Sequence, residues 1–208
     1  AGREVVVVSA VRTAVGDYGG ALKDIPPTQL AAAVLKEALA RAKVDPAAVG
    51  HVFFGHVINT EPRDMYLSRW AAINAGLPKE VSAANVNRLC GSGLQAIIQA
   101  AQAIQLGDTD VAVGAGAESM TRSPYALLSE RWGARMGDAK AVDMMVGALS
   151  DPFDGIHMGV TAENVAERFS VSRKDQDELA VVSHQRAAKA IAEGRFKSQI
   201  VPIPVKVK

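Results

Sequence analysis

Apolar positions along the chain follow two periods. Short β-branched runs alternate with longer segments whose apolar residues recur every third or fourth position, a pattern of strands alternating with helices. The run from Glu4 to Ala10, centred on Val5, Val6, Val7 and Val8, predicts a strand covered on both faces, as in a parallel sheet. After Gly16, Gly19, Gly20, Pro26 and Pro27, Thr28 is placed to cap a helix whose Leu30, Val34, Leu35, Leu39 and Ala42 share one face. His51 to Gly55 predicts a second strand, Arg63 to Ala75 a helix closed by Gly76 and Pro78, and Ala83 to Val86 a third strand. A helix from Gly91 to Leu106 and a strand from Val111 to Ala117 follow. Repeated strand-helix-strand units imply an α/β layered fold with right-handed crossovers.

Past Glu118 the composition changes, with Ser119, Met120, Arg122 and Pro124, a segment from Arg131 to Gly137, and the Met-rich run from Asp143 to Gly147. This predicts a separate loop or lid domain over 119–208, set apart from an α/β domain over 1–118. It contains a helix from Thr161 to Phe169 and another that starts at the Ser172/Asp175 capping pattern and ends at Gly194. Ile200 to Lys208 alternates like an edge strand, where Pro202 and Pro204 are tolerated, yet nothing follows it to pair with.

The 208 residues are 49% hydrophobic, 22% charged and 5% aromatic, and Lys+Arg (23) nearly balance Asp+Glu (22). That excludes a disordered chain, a collagen and a disulfide scaffold. Interspersed charges summing to +1 exclude nucleic acid or an anionic membrane as the main partner, so any anionic ligand is held locally. No apolar run approaches the length of a membrane span, and a strand beginning near Val5 leaves no room for a signal peptide. A single cysteine, Cys90, fits a reducing compartment and a cytoplasmic protein. His51, His56, His157 and His184 are scattered, and no metal site is expected.

Between Leu89 and Gly107 there is no Asp, Glu, Lys or Arg, which predicts a helix buried nearly all round. Cys90 precedes Gly91, Ser92 and Gly93 at the strand-to-helix junction, where unpaired N–H groups and the helix dipole favour a thiolate and can receive an oxyanion. On residue type alone, a small buried hydrophobe is the commoner role for a free cysteine. A third reading is a dinucleotide fingerprint, since Gly91 to Ala96 fits G-x-G-x-x-A. Such a fingerprint normally follows the first strand of its sheet, and Gly114 and Gly116 fit it less well than they fit close packing. Met144, Met145 and Met158 suit either core filling or a soft wall for a flexible apolar ligand.

The segment from Asn85 to Ile97, carrying Asn-Arg-Leu-Cys-Gly-Ser-Gly, resembles the nucleophile motif of the thiolase family. Val11 to Gly16, Gly114 to Met120, Arg135 to Asp138 and His157 to Val165 resemble further family segments, in the family's order and spacing, so the resemblance covers the whole chain. Thr60 to Tyr66 departs from the glycine- and asparagine-containing loop of many acetoacetyl-CoA thiolases and is closer to bacterial β-ketothiolases of broader chain length.

The resemblance implies the first of two pseudo-repeat halves of a layered α-β-α fold, and a reversible thioester Claisen condensation of acetyl-CoA or cleavage of 3-ketoacyl-CoA. It implies Cys90 as the acyl-accepting nucleophile, with its own N–H in the oxyanion hole. Leu149, His157 and Met158 are the implied lining of the pantetheine and coenzyme A channel. Coenzyme A is substrate and product, and no tightly bound cofactor is expected. The family's second half normally supplies the activating histidine, a second cysteine as acid/base, and an asparagine that positions an oxyanion-hole water. The expected partners are therefore acyl-CoA and that C-terminal half, as another chain or a missing segment, in a homodimer or tetramer with Arg131 to Asp138 as candidate tetramer contacts. The alternatives are a decarboxylating condensing enzyme of the ketoacyl synthase type and a catalytically inactive structural fragment.

Overall fold

Val52 and Phe54 belong to one apolar cluster and Phe53 to another, so β1 (His51–Gly55) is apolar on both sides and is covered twice. In the computed structural model, which describes residues 2–205, β1 is the middle of a three-stranded parallel sheet of order β2-β1-β3. β2 (Ser82–Val86) pairs from His51↔Ser82, and β3 (Ala112–Gly116) from His51↔Ala112. On one face, α1 (Pro27–Ala42) and α2 (Leu67–Asn74) bring Leu35, Leu39, Leu67 and Ala71 into the cluster of Val52 and Phe54. On the other, α3 (Ser92–Leu106) sets Ala96, Ala100 and Ala103 against Phe53. This is the expected α-β-α layering. Small residues let the layers approach: a Cβ on Gly114 would lie 2.5 Å from Ile97 Cα, which accounts for Gly114 as a packing residue.

The chain divides into two compact units, Ala1–Met145 with Val201–Lys208, and Val146–Ile200. The first also holds an antiparallel pair, β4 (Tyr125–Leu127) with β5 (Ala141–Asp143). The short helix α4 (Met144–Ala148) lies where the chain passes from the first unit to the second. The second unit contains α5 (Met158–Arg168) and α6 (Arg173–Ala192). The expected capping box forms at α6: Ser172 Oγ accepts from Asp175 N at 3.1 Å, and Asp175 Oδ2 accepts from Ser172 N at 3.3 Å.

Five local expectations are corrected. Glu4 to Ala10 forms no strand and Val7 is 80% exposed, because this run pairs with neither edge of the sheet β2-β1-β3, and β-branched composition without a ladder does not make a strand. The terminal run likewise forms no strand as far as Val205, although Val201 is buried and donates its N–H to Arg12 O at 2.7 Å; its last three residues lie outside the described ones. Thr28 is not a cap: Pro26 holds that position, and Thr28 is buried inside the first turn. The helix expected from Arg63 is a 3-10 turn (Pro62–Tyr66) followed by α2, and α3 is not buried all round. Leu94 is 65% and Leu106 79% exposed, since α3 meets the sheet along one alanine stripe only.

Candidate functional site

Parallel strands deliver the residues after their C-terminal ends to one edge of the sheet, where α/β folds place their chemistry. His56 follows β1, Asn87 follows β2, and Ala117 and Glu118 follow β3. Cys90 is exposed, between β2 and the first turn of α3. The turn that carries it is built from its neighbours. Gly91 N donates to Arg88 O at 3.1 Å and Ser92 N to Leu89 O at 3.0 Å. The buried Ser92 hydroxyl closes the same turn, accepting from Arg88 N at 2.8 Å and donating to Leu89 O at 2.6 Å. Asn87 Oδ1 accepts from Leu89 N at 3.0 Å, and Leu89 takes a φ of 47°, a left-handed conformation uncommon without glycine. Arg88 Nη1 reaches forward to Gln95 Oε1 at 2.6 Å, tying the turn to α3.

The Cys90 amide meets no acceptor among the described residues. An exposed thiol beside such an N–H, at the positive end of a 15-residue helix, has the parts needed to attack a carbonyl and receive the oxyanion that forms. Cys90 stands at the junction of β2 and α3, where the sequence places it, and it is exposed in this chain.

Under the turn lies a polar cluster in which His56, Asp64 and Ser68 are buried while Asn85 and Glu118 are exposed. His56 is almost fully enclosed, and its Nδ1 donates to Ala117 O at 2.8 Å; a carbonyl only accepts, so Nδ1 carries the proton. Its Nε2 is 3.9 Å from Asp64 Oδ2, which accepts from Thr60 N at 2.6 Å, Thr60 Oγ1 at 2.7 Å and Glu61 N at 3.3 Å. Glu118 accepts from Val57 N at 2.8 Å and Ile58 N at 3.2 Å, with Oε1 also 3.4 Å from His56 Nδ1. Asn85 on β2 joins α2 to the sheet, its Oδ1 accepting from Ser68 N at 2.9 Å and Ser68 Oγ at 2.6 Å. Sequence reading singled out none of Ser92, Asn87, Glu118 or Asp64 for a role. The Asn two residues before a turn, and the Ser opening a helix, are the signals that could have found the first two.

The other expected site residues belong to the second unit, where the fold brings all three together. Met158 N donates to Leu149 O at 2.8 Å and Ser150 pairs with His157, closing a small loop at the start of α5. His157 caps that helix, its Nδ1 accepting from Gly159 N at 3.0 Å, so its Nε2 carries the proton in the neutral ring. His157 and Met158 are exposed, and Leu149 is half-buried. Among the described residues, no group of three or more His, Cys, Asp and Glu is placed to hold a metal ion, and no helix is long and apolar enough to cross a membrane.

Residues 5–208 match the family described as thiolase, N-terminal domain. The chain is 65% identical over 201 residues to beta-ketothiolase BktB of Cupriavidus necator, covering 97% of this chain and 51% of that protein. It is 45% identical over 209 residues to an acetyl-CoA acetyltransferase of Syntrophomonas wolfei, covering 99% and 52%. The structure superposes on the Bacillus anthracis acetyl-CoA acetyltransferase with a TM-score of 0.93 at 44% identity, covering 98% of this chain and 51% of that one. Human mitochondrial 3-ketoacyl-CoA thiolase, solved in complex with CoA, gives 0.92 at 38% identity, covering 95% and 50%. The chain thus spans about half the length of the relatives it matches. Its α-β-α layers, its motif order and these likenesses agree: the chain belongs to the thiolase family.

Proposed function

We propose that this chain supplies the nucleophile of a thiolase, which condenses acetyl-CoA with an acyl-CoA or cleaves a 3-ketoacyl-CoA through an acyl-Cys90 intermediate. The observation that carries the reading is the exposed Cys90 at the start of α3, with an uncommitted amide beside it. The Cys90 thiolate attacks the thioester carbonyl, the oxyanion forms against the Cys90 N–H, and coenzyme A leaves as its thiolate, so the acyl group stays on sulfur. In the second half-reaction of condensation the acyl group passes to the carbanion of acetyl-CoA. In cleavage the thiolate instead attacks the 3-keto carbonyl, the carbon–carbon bond breaks, acetyl-CoA leaves as its carbanion and is protonated, and the acyl group then passes from sulfur to coenzyme A. A base and a second cysteine from the family's other half complete the reaction.

Leu149, His157 and Met158 line the coenzyme A channel in this reading, supported by their gathering at the start of α5 with the thioether and imidazole exposed. The loop region from 119 onward acts as the lid. The enzyme works in the cytoplasm as a homodimer or tetramer. Val6, Val7 and Val8, together with Leu94, Ile97 and Leu106 of α3, form apolar surface that the second half covers. The 65% identity to a beta-ketothiolase supports a 3-ketoacyl-CoA as the substrate class.

The test is acid-quenched peptide mass spectrometry of the whole protein after brief mixing with acetyl-CoA. An acetyl group on the Cys90 peptide, absent from Cys90→Ala, is expected. An adduct elsewhere, or none, overturns the reading. Consumption of malonyl-CoA with loss of carbon dioxide would instead assign a decarboxylating condensing enzyme.

A further inference from the structure

We propose that Glu118 and Asn87 are positioning residues for Cys90, acting as one hydrogen-bonded strap that runs from the end of β3, through the loop after β1, into the nucleophile turn. The proposal rests on the reading of Cys90 as the nucleophile. The strap starts at Glu118, whose carboxylate takes the two successive amides of Val57 and Ile58 at 2.8 and 3.2 Å. That fixes the orientation of the Val57 residue, whose carbonyl accepts from Asn87 Nδ2 at 3.4 Å. The same Asn87 amide presents Oδ1 to Leu89 N at 3.0 Å. These partners define which way the amide faces, since a carbonyl only accepts and an N–H only donates. Leu89 adjoins Cys90 and holds a φ of 47°, a conformation that an L side chain seldom keeps without such a contact.

The strap crosses all three strand ends. The N–H of His56 donates to Val86 O at 2.9 Å, so the loop after β1 is also tied to β2 by its backbone. The N–H of Ala117 donates to Gly55 O at 3.0 Å, which ties β3 to β1 just before Glu118. Glu118 touches neither Cys90 nor the Cys90 amide; its action reaches them through Val57, Asn87 and Leu89. Loss of either end leaves Leu89 N without its Asn87 partner; the Leu89 carbonyl stays bonded to Ser92, so the left-handed Leu89 backbone relaxes about that anchor and shifts the Cys90 amide from where the oxyanion forms. Acylation of the thiol needs that amide in place, whereas alkylation by a small haloacetamide, a displacement at saturated carbon, does not.

The experiment compares Glu118→Gln, Asn87→Ala, the double variant and the parent, each as the whole protein. For each, the rate of Cys90 acetylation by acetyl-CoA and of Cys90 alkylation by iodoacetamide is followed by peptide mass spectrometry, with the thermal midpoint as a folding control. Acetylation should fall about tenfold or more in each single variant while alkylation stays at the parent's rate. The double variant should be no slower than the slower single, because both act through one strap. Asn87→Asp, which keeps the acceptor for Leu89 N, should recover part of the loss. Multiplicative losses in the double variant, equal slowing of both reactions, or unchanged acetylation would overturn the strap. A parent protein that alkylates but never acetylates at Cys90 would instead overturn the nucleophile reading beneath it.

Discussion

A Cβ added to Gly55 would lie 2.5 Å from the carbonyl carbon of Ser92, so the end of β1 sits directly beneath the first turn of α3, two residues past Cys90. Gly55 is therefore required by a backbone approach and not by its own dihedral angles. Gly55→Ala forces the turn and the sheet apart. A loss of about 1–3 kcal/mol in urea unfolding is expected, together with slower acetylation of Cys90. Unfolding at the parent's midpoint would contradict the contact.

Ser92 holds the nucleophile turn from inside, with its hydroxyl both donating to Leu89 O and accepting from Arg88 N. In Ser92→Ala the Arg88 amide loses its partner in a part-buried setting, at a cost of about 0.5–1.5 kcal/mol. Ser92→Cys keeps a weaker donor and acceptor and should fall between the two. The measurement is thermal or urea unfolding of the three proteins; equal stability would show that the hydroxyl is replaceable.

His51 stacks on Phe53 with ring centroids 4.0 Å apart, and burial lowers its pKa from the ordinary 6.5, with Asp108 acting in the opposite direction. The folded chain thus binds this proton less readily than the unfolded one. Its contribution to stability is fully present above about pH 6.5 and is lost as the pH falls below that value, where the unfolded chain takes up the proton first. The urea midpoint should drop between about pH 7.5 and pH 5.5 by less in His51→Gln than in the parent. Parallel pH profiles would remove His51 as the source.

His157 caps α5 through Gly159 N, and the proposed function also sets it beside coenzyme A. The two roles separate. His157→Ala should lose about 0.5–2 kcal/mol of stability and raise the KM for CoA substrates, while His157→Asn, a good cap, restores stability but leaves the KM raised. A KM restored along with stability would leave only the capping role.

Local pattern made much of this protein legible. The central strand was readable to the residue because Val52, Phe53 and Phe54 need burial on both faces, a demand written in three consecutive side chains. The capping box at Ser172 was equally plain, because its two partners lie three residues apart. Cys90 stood out by its glycine-rich context at a helix start. What escaped were groups whose partners are distant in the chain. Glu118 meets Val57, His56 meets Ala117, and Ser68 meets Asn85, contacts that no periodicity announces.

The sequence by itself determined the alternation of strand and helix, the apolar positions of the sheet and the place of Cys90 before a glycine-rich helix start, since these follow from side-chain type and short-range spacing. Tertiary structure alone decided the strand order, the unpaired state of Val5 to Val8 and the exposed side of α3, because a ladder or a covered face needs a partner and not only a propensity. It also decided the strap beneath Cys90. Parallel strands bring Glu118, Val57 and Asn87 to one sheet edge from three separate places in the chain, and only there can their hydrogen bonds form.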